Sequence, residues 1–473
     1  MDLHATFELA AAALAQGDLV EAERGFLELL ARQPGNPQIR HPLAVTLAQQ
    51  GRTAEAVEML GAVVKSRPDD PDMLLDYGVI LREAGRFEEA LAAFDHALAV
   101  QPGNPDLMKL RGDTLVSLKR ADEALASYDR ILAFRPNTAM LQHSRGNALR
   151  ALGRHDEAVT SFDRALALEP DFTPALYDRG TSLAARHRIA EWFAGFARFT
   201  QRWVGAKSWS AFGDNDAPPP AHQAQHDSEQ RAYHKVMGIK LTGERPHIES
   251  GARLSGPAIN PDNAPAAAKA WRDSRPQIVV IDNLLTDEAL DAMRRYCWGS
   301  TMWRSAYDGG YIGAFPEQGF AAPLLAQIVE EFRTAFSDIC GEHALKYVWG
   351  FKYDSAMDGI GIHADAAAVN VNFWITPDEA NLDPDHGGLV VWDKAAPLDW
   401  DFNTFNTDEG AIRDFLAESG ARPVTIPYRA NRAVIFDSDL FHQTDVIRFK
   451  PGYENRRINV TLLYGERAPG ALG

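Results

Sequence analysis

Disulfides, membrane spans and a basic surface are all missing from this sequence, and each absence narrows what the chain can be. Two cysteines, Cys297 and Cys340, in 473 residues are too few for a disulfide framework and fit a reducing compartment. No run of about 18 apolar residues offers a helix that could cross a bilayer. The opening residues, with Asp2 and Glu8 among them, do not read as a signal peptide. The chain therefore reads as cytoplasmic, without a membrane partner. Cationic excess is lacking too: the net charge is −17, about −5 of it in residues 1–205 and about −12 in the remainder. Such a surface argues against a phosphate backbone as partner, so no nucleic acid is expected. With 45% apolar and 24% charged residues, what is left is an ordinary globular composition, long enough for two domains.

What is present in the first half is a repeat. Glycines at 17, 51, 85 and 153 share a period of 34, with Lys119 replacing one member, and alanines at 22, 56, 90, 124 and 158 keep the same register. Prolines at 34, 68, 102, 136 and 170 and glycines at 78, 112, 146 and 180 form two further series. Phe26, Phe94, Tyr128 and Phe162 supply the bulky position, with Met59 read as its member in the second repeat. A period of 34 with small residues inside each helix and proline after the second is the tetratricopeptide signature. Each such helix pair buries its apolar face only against its neighbours, which gives an all-α superhelix with a concave groove. Five full repeats and a degenerate sixth or capping helix, with His187 and Trp192 at the glycine and alanine positions, fill residues 1–205. By register the groove shows Lys109, Asp113, His143, Asn147 and Arg150. The aromatic cluster Trp192, Phe193, Phe196, Phe199 and Trp203 is more than a solvated helix exposes and predicts packing on another element or chain.

Residues 206–275 are proline-dense and weakly periodic, which predicts an irregular linker. His222, His226, His234 and His247 lie there, without regular ligand spacing or an accompanying cysteine, so a metal site among them is not expected.

Residues 276–473 carry the chemistry. His363-Ala-Asp365 is followed by Gly387-Gly388-Leu389, then Phe436-Asp-Ser438 leading into His442, then Arg457-Ile-Asn-Val460. A His-x-Asp triplet alone is weak, since 14 histidines would give about one by chance. Two imidazoles and one carboxylate in this order are nonetheless what a non-haem Fe(II) site needs, because three protein ligands on one face leave positions open. The surrounding segments read as strands: Gln277–Asp282, Trp349–Tyr353, Asn370–Ile375, Leu389–Trp392, Arg432–Phe436 and Ile458–Tyr464. Helices begin at Thr286, an N-cap, and span Pro323–Cys340. Asp437, Asp439, Asp445 and His386 could compete as ligands, but turn formation is the better reading for each.

From about residue 277 to 467 this ordered set resembles the double-stranded β-helix, or jelly roll, of the Fe(II)- and 2-oxoglutarate-dependent oxygenases, an α+β domain. The resemblance implies His363, Asp365 and His442 as the catalytic metal ligands, Fe(II) as cofactor, and 2-oxoglutarate and O2 as co-substrates. It also implies a strand-borne arginine for the distal carboxylate of 2-oxoglutarate. Arg448, Arg456 and Arg457 all follow His442. Strand alternation sets Ile458, Val460 and Leu462 on one face and Arg457, Asn459 and Thr461 on the other, which favours Arg457 over Arg456. Arg448 reads as a solvated loop charge. Tyr353 would put its hydroxyl on the co-substrate or else fill the core, and Asn372 would touch co-substrate or substrate or else cap backbone.

The whole arrangement, repeats fused to this barrel, looks like a bacterial family of tetratricopeptide 2-oxoglutarate oxygenases. Its implied activity is that of a dioxygenase; it supplies no substrate, and the habit of repeat superhelices to bind peptides in the groove is what points to hydroxylation of a protein or peptide side chain recruited there. Two alternatives stand: the same chemistry on a small molecule, with the repeats used for homo-oligomer assembly, or a repeat scaffold with an inactive barrel.

Overall fold

A computed structural model of the chain describes residues 3–206, 221–239, 247–307, 309–341, 343–357 and 359–467. They divide into two compact units, Met1–Ser182 and Leu183–Gly473.

The first unit is all helical: α1 (Leu3–Ala15), α2 (Leu19–Arg32), α3 (Pro37–Gln49), α4 (Thr53–Ser66), α5 (Pro71–Glu83), α6 (Phe87–Val100), α7 (Pro105–Ser117), α8 (Ala121–Leu132), α9 (Ala139–Ala151), α10 (His155–Leu168), and α11 (Thr173–Ala185), which runs past its boundary. Local chemistry sets the helix starts. Asn36, Asp70 and Asn104 cap α3, α5 and α7, each accepting a hydrogen bond from a first-turn amide, and each is followed by the proline that opens the helix. The turns inside the pairs need a left-handed residue. Gly51 supplies it at φ +81°, and Lys119 and His187 adopt the same conformation at φ +60° and +57°, so the non-glycine members keep the geometry of the series. The second glycine series has another cause: a Cβ on Gly78, Gly112 or Gly146 would collide with the ring of Phe94, Tyr128 or Phe162. In the second repeat that bulky place belongs to the fully buried Leu60 rather than to Met59, which is only partly buried.

The second unit opens with α12 (Ile189–Ala206), followed by α13 (Ala221–Val236), α14 (Ala264–Asp273), β1 (Ile278–Ile281), α15 (Asp287–Gly299), β2 (Ser305–Tyr307), β3 (Tyr311–Ala314), α16 (Pro323–Ala335), α17 (Ser337–Cys340), β4 (Leu345–Tyr353), β5 (Ala356–Met357), β6 (Val369–Trp374) and β7 (Leu389–Ala395). Then come α18 (Phe402–Asn406), α19 (Glu409–Glu418), β8 (Pro423–Ile426), β9 (Ala433–Asp437), β10 (Leu440–Thr444), β11 (Ile447–Arg448) and β12 (Ile458–Tyr464). A seven-stranded sheet has the order β1-β9-β6-β12-β4-β3-β2, a three-stranded sheet β10-β7-β8, and a two-stranded one β11-β5. Their pairings are antiparallel. Between the sheets lies an apolar cluster that includes Trp374, Leu389, Val391, Val434 and Phe436. On the other side, Phe332 of α16 stacks on Tyr464 of β12 with ring centroids 6.0 Å apart.

Besides Met59, three expectations are corrected. The first domain does not run to 205, because α12 packs on α16 with Trp192, Phe193 and Phe196 buried and so belongs to the second unit. The side chains of Phe199 and Trp203 lie outside the described residues. Residues 206–275 are not merely irregular, for they contain α13 and α14; residues 207–220 and 240–246 lie outside those described. Helix α13 escaped sequence reading because its buried stripe, Gln223, His226, Gln230 and His234, is polar and leaves no apolar period. It is held by side-chain bonds instead: Gln230 Nε2 donates to the Tyr453 hydroxyl at 2.6 Å and to the Ser300 carbonyl at 2.9 Å. Finally, the helix expected over 323–340 breaks at Phe336 into α16 and α17.

Candidate metal centre and adjoining cavities

His363 and His442 face each other across two strand segments. Each amide donates to the other's carbonyl, at 3.0 and 2.8 Å, and this brings the imidazole centroids to 4.3 Å. Asp365 is fixed beside them because its amide donates to the Ser438 carbonyl at 3.1 Å, which gives Ser438 of the Phe-Asp-Ser segment a structural role. One ligand atom from each of His363, Asp365 and His442 lies within 4.8 Å of the others, the one such group among the described residues.

Hydrogen bonds around the three set their chemistry. Nδ1 of His363 lies 2.8 Å from the Gly361 carbonyl, and Nδ1 of His442 lies 3.1 Å from that of Leu440. A carbonyl only accepts, so these contacts put a proton on each Nδ1 and leave each Nε2 lone pair free. The two Nε2 atoms converge on Asp365, at 3.8 and 3.4 Å from its oxygens. Burial pushes the His363 imidazole down, reinforced by His442. For Asp365 burial acts upward, but the neighbouring His442 and His363 rings and the hydrogen bond from the Asn370 amide outweigh it and hold the carboxyl below its usual range. Two imidazole Nε2 atoms and a carboxylate fit a divalent cation with a borderline preference for nitrogen and oxygen ligands.

Behind the triad is an amide chain that sequence reading only half found. Asn370 Nδ2 donates to Asp365 Oδ2 at 2.6 Å, and Asn372 Nδ2 donates to Asn370 Oδ1 at 2.6 Å. The Asn372 oxygen accepts in turn from Asn459 at 3.0 Å and Thr461 at 2.8 Å. The strand alternation that placed both asparagines on one face was visible in the sequence; that Asn370 is the one touching the carboxylate depends on the turn between Asp365 and β6.

A small chamber of about 40 Å³ adjoins the triad, lined by Tyr353, Asn372, Thr444, Arg457 and Asn459 among others. Arg457 is 1% exposed. Its Nε and Nη2 donate to the carbonyls of Gly387 and Gly388 at 2.6 and 3.1 Å, and its Nη1 has no hydrogen-bond partner among the described residues. The Gly-Gly pair thus serves the arginine, and a Cβ on Gly388 would strike the Ile426 carbonyl. The guanidinium lies 4.6 Å from the centroid of the Tyr353 ring, and the Tyr353 hydroxyl lies 3.5 Å from Thr444 Oγ1. Burial lowers the Arg457 pKa, the mark of a charge without full compensation. Arg456 points elsewhere and is neutralised, with Glu229 and Asp354 each at 2.8 Å. Arg448 is exposed on its loop, 3.7 Å from Asp383. Arg457 is thus a buried guanidinium lining the chamber beside the triad, without a carboxylate partner among the described residues.

The competing carboxylates are used otherwise. Asp437 accepts from the Asp439 amide at 3.0 Å, and Asp445 lies 3.1 Å from His386 Nδ1. Among the four linker histidines, His226 and His234 are buried in α13 away from any metal-competent group among the described residues.

A larger cleft of about 620 Å³ shares Trp349, Phe351, Ile360, His363 and Asp365 with the chamber. Its wall adds Tyr307, Tyr311, Phe315, Tyr347, Phe402 and Glu409. The alternation Tyr347, Trp349, Phe351, Tyr353 along β4 was the signal for this wall, and sequence reading used only its last member.

In the first unit, the groove residues are bonded to one another. Lys109 donates to Asp113 at 2.7 Å, as does the Tyr128 hydroxyl at 2.6 Å. His143 lies 2.7 Å and Arg150 3.3 Å from Asp178, and Asn147 lies 3.3 Å from His143.

Models of the tetratricopeptide repeat match residues 42–105, 81–147 and 146–185. No curated protein matches the chain. Among solved structures, MamA from Desulfovibrio magneticus is 18% identical, covering 36% of this chain and 97% of its own, with a TM-score of 0.34. A tetratricopeptide repeat protein from Parabacteroides merdae is 16% identical over 51% of this chain and 94% of its own, with a TM-score of 0.39. YrrB, described as a TPR protein with an unusual peptide-binding site, is 20% identical over 34% of this chain and 83% of its own, with a TM-score of 0.30. The N-terminal region of this chain is built of tetratricopeptide repeats, joined to a strand-rich antiparallel second unit.

Proposed function

We propose that the chain is an Fe(II)- and 2-oxoglutarate-dependent dioxygenase that hydroxylates a side chain of a protein or peptide recruited by its repeats, with the second unit a double-stranded β-helix. One observation carries the reading: a His363–Asp365–His442 triad with both Nε2 lone pairs free shares a chamber with Arg457, a buried guanidinium that has a vacant donor. A structural metal site or a core ion pair would need no such unpaired cation.

In this reading His363, Asp365 and His442 hold Fe(II), and Arg457 takes the distal carboxylate of 2-oxoglutarate with Tyr353 at its side. When bound, the iron supplies oxidation of a C–H bond: C–H becomes C–OH with one atom of O2, and the other enters succinate as 2-oxoglutarate loses CO2. The protein's own part is positional. The Gly361 and Leu440 carbonyls aim the imidazoles, and Asn370 orients the Asp365 carboxylate. The repeats supply an extended surface of the kind that holds peptides.

The test is aerobic incubation of the full-length protein with Fe(II) and 2-oxoglutarate, following succinate, and mass spectrometry of peptides for one added oxygen. His363→Ala and Asp365→Ala should abolish iron-dependent succinate formation. Turnover retained in both variants rejects the triad. Turnover stimulated by a metabolite, with no oxidised peptide, rejects the protein-hydroxylase part.

A further inference from the structure

The large cleft is walled by aromatic rings on a sheet face that is only partly covered. Tyr307 and Tyr311 stack with centroids 4.7 Å apart and planes 8° from parallel, and Tyr311 meets the edge of Phe351 at 5.2 Å. Along β4, Tyr347 and Trp349 are 6.1 Å apart and Trp349 and Phe351 6.2 Å. Tyr347 remains 46% exposed. Rings left this open beside a reactive site are built to receive something flat, apolar or cationic.

Charge decides among these. Among the described residues, the cleft lining contains no lysine or arginine, and its carboxylates are Asp365 and Glu409. Asp365 is engaged with Asn370 and the two histidines. Glu409, at the start of α19, has Oε2 3.1 Å from Arg413, while its Oε1 stands over Gly361, where a Cβ would collide with it. The Lys346 ammonium donates to the Ala366 carbonyl at 2.8 Å and lies 5.6 Å from the Tyr347 ring centroid, so a cation already stands by that ring, and Trp349 and Phe351 are the faces left. The cleft therefore combines ring faces of negative potential with the Glu409 carboxylate, paired with Arg413 through Oε2 and turned toward Gly361 through Oε1, within a half of the chain that carries about −12 of the net charge.

We propose that this cleft takes a cationic side chain, a lysine or arginine of a peptide, with its alkyl stem against Trp349 and Phe351 and its charge met by Glu409. The inference deepens the dioxygenase reading by naming its substrate class, and it rests on that reading for the reaction. The binding itself is tested on metal-free protein, so the outcome is independent of whether the triad holds iron.

Full-length protein in EDTA is titrated by calorimetry with three pentapeptides, Gly-Ala-Xaa-Ala-Gly, in which Xaa is lysine, norleucine or phenylalanine. The lysine peptide should bind about tenfold more tightly than the other two. Glu409→Gln, a conservative change at a half-exposed side chain, should bring the lysine peptide to the level of norleucine, and Trp349→Leu should weaken it about fivefold. Equal affinity for lysine and norleucine, or tighter binding of phenylalanine, overturns the inference. So does an unchanged lysine affinity in Glu409→Gln, or tighter binding of a single-stranded oligothymidine, which would assign the rings to base stacking.

Discussion

His363 and His442 exchange both backbone hydrogen bonds, at 3.0 and 2.8 Å, so the two imidazoles of the candidate site are a directly opposed cross-strand pair. The ring separation of 4.3 Å is thereby set by the backbone before any ligand arrives. A site organised in this way should bind metal with little rearrangement, and binding to the native state alone raises apparent stability. Saturating Mn(II), a redox-stable stand-in for Fe(II), should raise the melting temperature of the second unit by about 5 °C. EDTA should reverse the shift, and His363→Ala should not show it. An equal shift in His363→Ala, read by scanning calorimetry, would sink the triad as the metal site.

Asn370 is fully buried and joins Asp365 to Asn372. Asn370→Ala removes the donor to Asp365 Oδ2 and leaves the Asn372 amide without its acceptor. Loss of such an orienting partner lowers metal affinity about 10- to 100-fold, and the orphaned amide costs about 1–3 kcal/mol of stability. Chelator competition reads the first effect and urea unfolding the second. Full metal affinity in a destabilised variant would show that the amide chain serves packing alone.

Arg456 and Arg457 are sequence neighbours with opposite situations. Arg456 is paired with Glu229 and Asp354, whereas Arg457 donates to two backbone carbonyls, lies against Tyr353 and has no carboxylate partner among the described residues. Arg457→Gln should raise the KM for 2-oxoglutarate at least about tenfold, the worth of a charge-assisted pair. It should cost little stability, since it removes an uncompensated buried charge. Arg456→Gln should leave that KM unchanged and destabilise the protein by about 2 kcal/mol, because two partly buried carboxylates lose their counter-charge. A KM change in Arg456→Gln with none in Arg457→Gln would reverse the assignment.

Much of this architecture was legible in the residues. The period of 34 exposed the repeats because glycine, alanine and the bulky ring return to one packing position in every helix pair, as the Gly112–Tyr128 contact illustrates. Alternation along β12 put Arg457, Asn459 and Thr461 on one face, and all three line the chamber. Elements that depend on partners distant in sequence were not legible. Helix α13 buries glutamines and histidines against Tyr453 and Ser300, so its stripe carries no hydrophobic signal. Glu409 reaches the cleft only because Gly361 leaves room for its carboxylate. Helix α12 reads as the last member of the repeat series, yet its aromatic face meets α16.

His226 turns that polar helix into a pH-dependent element. Its side chain is fully buried against Tyr453, with ring centroids 5.4 Å apart, and burial pushes its pKa from 6.5 down to about 3; Lys352 and Arg456 act in the same direction and Asp227 opposes them. The native state therefore holds the imidazole neutral, while the unfolded chain takes up a proton near pH 6.5. A depressed native pKa gives a contribution that is complete above the unfolded value and is lost as pH falls below it. By pH 5 the loss amounts to about 2 kcal/mol, from 1.36 kcal/mol per unit. His226→Gln cannot titrate, so it should be less stable than the parent at pH 7 and close much of that gap by pH 5, as measured by urea midpoints at the two pH values. Parallel pH profiles for the two proteins would show that His226 is not the group that couples α13 to acid.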